Sequence, residues 1–271
     1  MIRAAASRLA VEPMPMTPLT RPFLTAAWRD FLMLSYEIEP AVLRPFIPHG
    51  TELDDWHGRT FVSLVGFRFC DARLFGIRIP GHQEFAEVNL RFYVRRRIDG
   101  QWRRGVVFLR ELAAKRCVAI VARWFYGERF RRVPMVCTID REMSGNEKCR
   151  EIADEGVALP VPNNITFTWR DRGRDYRLAA GALAPPQLPP ADSLAEFIVD
   201  HYWAYTATPR GAAYEYLVPH PPWRIAEAEG EFTGDAYRQY GPRFAPYLRG
   251  TPASAFWATG SNVRVFHGTE L

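Results

Sequence analysis

Five charged residues lie close together in the sequence and have the side-chain types that chemistry on a small molecule requires. They are Glu87, Arg91, Arg110, Glu111 and Lys115. A carboxylate can carry a proton or orient a reacting group, and a guanidinium binds an anion through several hydrogen bonds. The five residues flank a predicted turn and face one another across it, so any chemistry in the chain is expected to centre here.

A predicted β-hairpin positions these residues. Residues 85–94 alternate in polarity, which places Glu87, Asn89 and Arg91 on one face of a strand and apolar side chains on the other. The pair Asp99-Gly100 follows, and glycine readily adopts the positive φ that a two-residue hairpin turn requires. Residues 102–112 are therefore expected to return as an antiparallel strand.

The second strand of this hairpin ends in two charges. The apolar residues 105–109 are followed at once by Arg110 and Glu111. A buried strand tolerates such charges only if they are paired or line a cavity. Two interpretations follow: a site for a charged small molecule, or a buried ion network with Glu87 and Arg91 that only holds the shape of the cavity.

Three segments carry helix signals. Pro40 suits the first turn of a helix that is predicted to run through Phe46. From Ala113 the apolar residues recur at helical spacing, which places Lys115 in the first turn of a second helix. Ser193 and Glu196 form a capping-box pattern, in which each side chain satisfies a free amide at a helix start. The chain is thus predicted to be rich in strands, with a few short helices.

Several motifs, taken in order along the chain, resemble the YqjF-like family of uncharacterised proteins over residues 21–265. That family is similar in fold to acetoacetate decarboxylase. The resemblance implies an α+β domain made mainly of a curled antiparallel β-sheet or barrel. The motifs are Trp28-Arg29-Asp30-Phe31-Leu32, Leu43-Arg44-Pro45-Phe46-Ile47-Pro48, Glu87-Val88-Asn89-Leu90-Arg91, residues 107–126 and His220-Pro221-Pro222-Trp223.

The resemblance also implies roles for single residues. Acetoacetate decarboxylase carries an Arg-acid-aromatic-Leu run, a Glu on a strand, and an Arg-Glu-Leu run followed by two adjacent lysines, the first of which forms a Schiff base. Arg29-Asp30-Phe31-Leu32, Glu87 and Arg110-Glu111-Leu112 match those positions. Lys115-Arg116 approximates the lysine pair, with shorter spacing and an arginine in second place.

On this basis the catalytic candidates are Lys115, Glu87 and Glu111. Lys115 would be the nucleophile, its pKa lowered by the neighbouring Arg116, and the two carboxylates would carry protons or orient groups. The alternative for Lys115 is an exposed lysine at a helix start.

The substrate-binding candidates are Arg29, Arg91, Arg110 and His220. Arg29 would hold a substrate carboxylate, or would instead bridge Asp30 at the surface. His220 lies in a proline-rich bend between strands, where it is either a hydrogen-bonded structural corner or a pocket residue.

Two functions fit this sequence. The first is a Schiff-base lyase that acts on a keto acid, and the second is a non-enzymatic protein that binds a small molecule on the same fold. A small organic acid is the expected ligand in either case. No cofactor is expected, because the chain has no glycine-rich phosphate loop. The four cysteines form no Cys-x-x-Cys pair, so no metal site is expected either.

Composition narrows the expected partners and location. The net charge of +5 comes from dispersed arginines, which indicates a solvated surface and no nucleic-acid partner. No run of eighteen apolar residues is present, so no membrane span is expected. Cys70 and Cys117 are interpreted as small buried thiols in a reducing cytoplasm. Residues 1–20 are predicted to be a disordered arm and residues 21–271 one domain. The sequence is compatible with either a monomer or a homo-oligomer.

Overall fold

Strands dominate the described part of the chain. The computed structural model describes residues 21–81, 83–115, 130–140, 161–207 and 211–271. The predicted N-terminal arm, most of the helix predicted from Ala113, and Cys117 lie outside these ranges. No helix in the described ranges has both the length and the apolar character to cross a bilayer.

Fifteen strands and four short α-helices are found in these ranges. The strands are β1 (Leu24–Glu37), β2 (Glu52–Leu53), β3 (Phe61–Leu74), β4 (Ile77–Arg78), β5 (Phe85–Ile98), β6 (Gln101–Ala113), β7 (Phe130–Arg132), β8 (Met135–Asp140), β9 (Asn164–Asp171), β10 (Arg174–Ala182), β11 (Trp203–Ala207), β12 (Ala213–Leu217), β13 (Ile225–Thr233), β14 (Ser254–Val265) and β15 (Thr269–Glu270). The helices are α1 (Pro40–Leu43), which continues as a 3-10 turn (Arg44–Phe46), α2 (Leu194–Val199), α3 (Ala236–Tyr240) and α4 (Ala245–Leu248).

The strands form one sheet of mixed direction. Its order is β15-β12-β11-β6-β5-β3-β1-β14-β13-β10-β9-β8, with β2, β4 and β7 attached to β5, β3 and β6. Pairing is antiparallel except where β11 and β7 lie parallel to β6. The predicted α+β fold with mainly antiparallel strands is confirmed. The barrel is wrong, because the end strands β15 and β8 do not pair and the sheet stays open.

Strand β13 folds this sheet into two packed layers. Its first residues, Ile225–Glu227, pair with β14, and its later residues pair with β10. The two layers share one apolar core, in which Phe167 of β9 packs with residues such as Leu32 and Leu64. A Cβ on Gly66 of β3 would lie 2.7 Å from the Phe167 ring, so the layers approach closely at this point. The opposite face of β1, β3, β5 and β6 is left for a second core.

Local signals in the sequence predicted several elements correctly. Asp99 and Gly100 have φ values of 49° and 81° and join β5 to β6 as a two-residue turn. The Ser193 hydroxyl accepts a hydrogen bond from the Glu196 amide at the start of α2. The prediction of a helix start at Ala113 is wrong, because β6 continues to that residue and Lys115 is not helical; the rest of that predicted helix lies outside the described residues.

One cysteine differs from the expectation. Cys70 is fully buried on β3, as predicted, but it is disulfide-bonded rather than a free thiol. This removes the support that the cysteines gave to a reducing compartment.

Candidate functional site

The second core borders a small, partly open cavity, here called the central cavity. It has a volume of about 120 Å³ and lies between the sheet face of β1, β3, β5 and β6 and the segments that follow α2 and β12. Most of its wall is aromatic or aliphatic, with rings such as Phe31, Phe67 and Trp223. Six polar side chains interrupt this wall: Glu87, Asn89, Arg91, Glu111, His201 and His220.

Strand β5 supplies three of the six. These are Glu87, Asn89 and Arg91, which are 4%, 3% and 8% exposed. They lie at alternate positions, so their side chains share the face of the strand that borders the cavity. The Asn89 Nδ2 group donates a hydrogen bond to Glu87 Oε1 at 3.3 Å. The predicted shared face of these residues is therefore confirmed.

A β-bulge decides which charge of β6 reaches the cavity. Leu90 pairs with Arg110, but Arg91 pairs with Phe108, so β6 carries one extra residue. The extra residue reverses the alternation of β6 beyond that point. Glu111 therefore joins Phe108 in the cavity wall, while Arg110 shares the opposite face with Leu90.

Arg110 is thereby separated from the cavity. Its charged neighbours lie on the other side of the sheet, around Tyr240, Arg131 and Asp171, and burial lowers the pKa of its guanidinium. Arg110 does not line the central cavity, and its predicted substrate-binding role finds no support in this position.

A second bulge shapes the wall on β1. Trp28 and Phe31 both line the cavity although they are three residues apart, which simple alternation forbids. The register between β1 and β3 shifts between Arg29 and Leu32, and Asp30 adopts a φ of 54°. Asp30 is fully buried and bonds Arg68 of the neighbouring strand, which holds this unusual backbone in place.

Arg91 is the buried cation of the central cavity. One of its terminal nitrogens donates to the Ile198 carbonyl at 3.3 Å and lies 3.8 Å from Met33 Sδ. Among the described residues, its Nε has no hydrogen-bond partner and no carboxylate lies within ion-pair distance of it. A buried guanidinium without a counter-ion is unfavourable, so this site favours an anionic ligand.

His201 lies beside Arg91 and was not predicted from the sequence. The residue is 8% exposed, and its ring packs against the Tyr93 ring at a centroid distance of 4.8 Å. Burial, followed by the charges of Arg104 and Arg91, lowers the pKa of His201 well below 6.5. Ile198 offsets part of this shift, but within the described ranges no hydrogen bond of normal geometry reaches either ring nitrogen. His201 is thus a neutral imidazole with unused hydrogen-bonding capacity.

His220 separates the central cavity from a larger cleft at the surface, here called the outer cleft. The outer cleft has a volume of about 500 Å³ and is lined by residues 25–27, Asp71, Arg73, residues 219–221 and residues 262–264. The His220 ring stacks on Trp223 at 4.3 Å, and its two nitrogens lie 2.9 Å from the Pro221 carbonyl oxygen and 3.2 Å from that of His201. His220 is therefore a hydrogen-bonded corner that also lines the cavity, and its role in substrate binding stays a prediction.

Two predicted residues lie beside the cavity rather than in its wall. Arg29 is 5% exposed at the β1 bulge and donates to the Trp28 carbonyl at 3.0 Å and to Asn262 Oδ1 at 3.1 Å. Lys115 is half-buried just beyond the end of β6, two residues after Ala113, which pairs with Glu87. Their roles stay predictions. Within the described ranges, no group of three His, Cys, Asp or Glu residues is placed to hold a metal ion.

The neutral state of His201 predicts a pH dependence of stability. In the unfolded chain His201 binds a proton near pH 6.5, whereas in the folded protein it does so only at lower pH. The unfolded state therefore holds more protons below about pH 6.5. His201 should lower the free energy of unfolding by up to about 1.4 kcal/mol for each pH unit below that point.

Urea unfolding of the wild type and of His201→Phe at pH 7.5 and pH 5.5 measures this effect. The wild type should lose about 1 kcal/mol more than the variant between the two pH values. Equal losses would show that His201 is not held neutral.

Comparisons with known proteins agree with this architecture. Residues 25–262 match the DUF2071 family, described as an uncharacterized conserved protein. The uncharacterized protein YqjF of Bacillus subtilis (strain 168) is 26% identical over 207 residues, and the alignment covers 76% of each chain.

Two solved structures share the fold at low sequence identity. Acetoacetate decarboxylase from Legionella pneumophila superposes with a TM-score of 0.63 at 13% identity, over 100% of this chain and 98% of that one. The enduracididine biosynthesis enzyme MppR complexed with pyruvate superposes with a TM-score of 0.59 at 16% identity, over 97% of this chain and 95% of that one.

Proposed function

The chain belongs to the DUF2071 family of uncharacterized conserved proteins and has an acetoacetate decarboxylase-like fold, and from this premise we propose that its central cavity binds a small organic acid. The observation that carries the proposal is the environment of Arg91. This cation is buried in an apolar wall, and no carboxylate of the described residues neutralises it. The carboxylate of a ligand would supply the missing counter-charge through charge-assisted hydrogen bonds.

The volume of the cavity indicates the size of ligand that it suits. An apolar cavity of roughly 150 Å³ is known to accommodate benzene, which has about six non-hydrogen atoms. At about 120 Å³, the central cavity suits an acid of three or four carbon atoms. One of the fold relatives is described as a complex with pyruvate, which is an acid of this size.

The distribution of charge along the cavity favours a single carboxylate. Arg91 and Glu87 are four residues apart on β5, so their backbones are separated by roughly 13 Å. Glu87, paired with Ala113, lies at the end of this row away from Arg91, and Glu111 lies opposite Asn89, between the two. A second carboxylate on the ligand would meet these two acidic side chains and be repelled. The two carboxylates are instead suited to exchange protons with the uncharged end of the ligand.

A Schiff-base lyase that acts on a keto acid is the second candidate function. It is supported by the fold relatives and by the position of Lys115, which follows the β6 residue paired with Glu87. However, Lys115 does not line the cavity, and an imine requires the amine to reach the ligand carbonyl. Binding without an imine is therefore the function that the geometry supports better.

Imine trapping separates the two functions, and the composition makes the result easy to interpret. The chain contains only two lysines, Lys115 and Lys148. The protein is incubated with pyruvate and sodium borohydride, and adducts are located by peptide mass spectrometry. We expect pyruvate to raise the melting temperature without forming a lysine adduct. An adduct on Lys115 that disappears in Lys115→Arg would establish the lyase chemistry instead.

A further inference from the structure

In addition to the unpaired Arg91 cation, the wall of the central cavity contains hydrogen-bond acceptors that have no donor among the described residues. We infer that the preferred ligand is a hydroxy acid rather than the corresponding oxo acid. This inference rests on the proposed function and deepens it by naming the substrate class. It comes from Asn89 and His201, two buried side chains in the wall of the central cavity.

The orientation of the Asn89 amide is set by its neighbour. Its Nδ2 group donates to the Glu87 carboxylate at 3.3 Å, and a carboxylate can only accept from it. The Asn89 Oδ1 atom therefore points elsewhere, and it has no hydrogen-bond partner within the described ranges. Asn89 is 3% exposed, so bulk water does not satisfy this acceptor.

The His201 ring also has unsatisfied hydrogen-bonding groups. A neutral imidazole has one N–H donor and one acceptor nitrogen. Both nitrogens are buried, and apart from a poorly aligned contact with the Ile198 backbone neither has a partner among the described residues. The wall around the ligand therefore offers donors from Arg91 Nε and one His201 nitrogen, and acceptors from Asn89 Oδ1 and the other His201 nitrogen.

A 2-hydroxy acid matches this set of groups. Its carboxylate accepts from Arg91 and from the His201 N–H group, and its hydroxyl donates to Asn89 Oδ1 or to the remaining imidazole nitrogen. An oxo acid of the same size keeps the first contacts but presents a carbonyl oxygen, which cannot donate. Buried acceptors would then stay unpaired in the complex, and such a deficit weakens binding strongly.

Lactate and pyruvate test the inference because they have the same number of non-hydrogen atoms and differ at the hydroxyl. Each acid, with lactate as its separate enantiomers, is titrated into the full-length protein by calorimetry. We expect one lactate enantiomer to bind at least tenfold more tightly than pyruvate. Equal affinities, or tighter binding of pyruvate, would overturn the hydroxy-acid inference. Either result would leave the proposed function standing. If no acid binds, both fail.

Two variants locate the source of the preference. Asn89→Leu should reduce the lactate preference to about threefold or less, because the acceptor that requires a donor is removed while Arg91 remains. Gln239→Leu is the matched control, since Gln239 is 2% exposed and both of its amide atoms lack partners among the described residues, but it lines neither cavity. The control should keep the wild-type preference. A full preference in Asn89→Leu, with an unchanged circular dichroism spectrum, would contradict the inference that the unpaired Asn89 acceptor selects the hydroxy acid.

Discussion

Replacement of Arg91 by methionine should weaken the binding of lactate or pyruvate at least 100-fold and leave the protein folded. Arg91 is the cation of the central cavity, and removing one partner of a buried charge pair typically costs about 3 kcal/mol, which is roughly a factor of 100 in affinity. Methionine has a similar length and no charge, so it fills the space among the apolar neighbours. Affinity is measured by calorimetric titration of the purified variant.

The same variant should be at least as stable as the wild type. Without ligand, Arg91 is a buried charge whose Nε has no partner in the described part of the chain, and its replacement removes that unfavourable burial. The loss of its bond to the Ile198 carbonyl opposes this gain, so we expect a rise of about 1 kcal/mol in the free energy of unfolding. Gain of stability with loss of binding is typical of a functional residue.

Arg97→Met is the matched control for this experiment. Arg97 lies on the same strand and is exposed, with its guanidinium over the Trp102 ring at 5.7 Å. It should bind the acids as the wild type does. Unchanged affinity in Arg91→Met would remove Arg91 from the site, whereas a loss of affinity in both variants would indicate a general surface charge effect.

Gly260→Ala should lower the free energy of unfolding by about 3 kcal/mol, combining the strain of an unfavourable backbone with overpacking. Gly260 lies on β14 opposite Arg29 and has a φ of 76°. A Cβ at this position would overlap the Trp28 carbonyl oxygen and lie 2.8 Å from its carbon. Because the obstructing atoms belong to the backbone, they cannot rotate away. The variant should also bind acids less well, since the β1 bulge positions Trp28 in the cavity wall.

Gly100→Ala separates the contribution of backbone strain from that of overpacking. Gly100 has a φ of 81° but would place its Cβ where no atom lies within 4 Å. It should lose only the backbone contribution, about 1 kcal/mol, without any change in acid binding. Urea denaturation of the three proteins gives the comparison. Equal losses for the two variants would show that the close approach at Gly260 does not constrain the fold.

The parts of this fold that local chemistry determines were predictable from the sequence. Strand β5 alternates cleanly, so the shared face of Glu87, Asn89 and Arg91 follows from a period of two. The turn at Asp99-Gly100 and the cap at Ser193 depend on residues within one turn of each other. Strand β14 was not predicted, since small residues and Gly260 interrupt its pattern, although it pairs along most of β1.

The parts that depend on bulges and on long-range packing were not predictable. Uninterrupted alternation would place Arg110 on the same face of β6 as Phe108 and Glu111 on the opposite face. One extra residue in β6 reverses this, so that Glu111 shares the cavity face with Phe108. His201 belongs to no motif, and the only local signal is its position directly after the helix capped by Ser193. It becomes a candidate only when the fold brings it to Arg91, 110 residues away in the chain. The alternation pattern was therefore reliable within a strand and failed at its irregularities.

A crystal structure of the full-length protein with lactate tests the central claim most directly. We predict that the lactate carboxylate lies within hydrogen-bond distance of the Arg91 guanidinium, between β5 and the segment that contains His201. Crystals of Arg91→Met prepared with lactate under identical conditions should show an empty central cavity. Lactate bound only in the outer cleft, or bound equally in the central cavity of the variant, would contradict the proposal that Arg91 makes this cavity an organic-acid site.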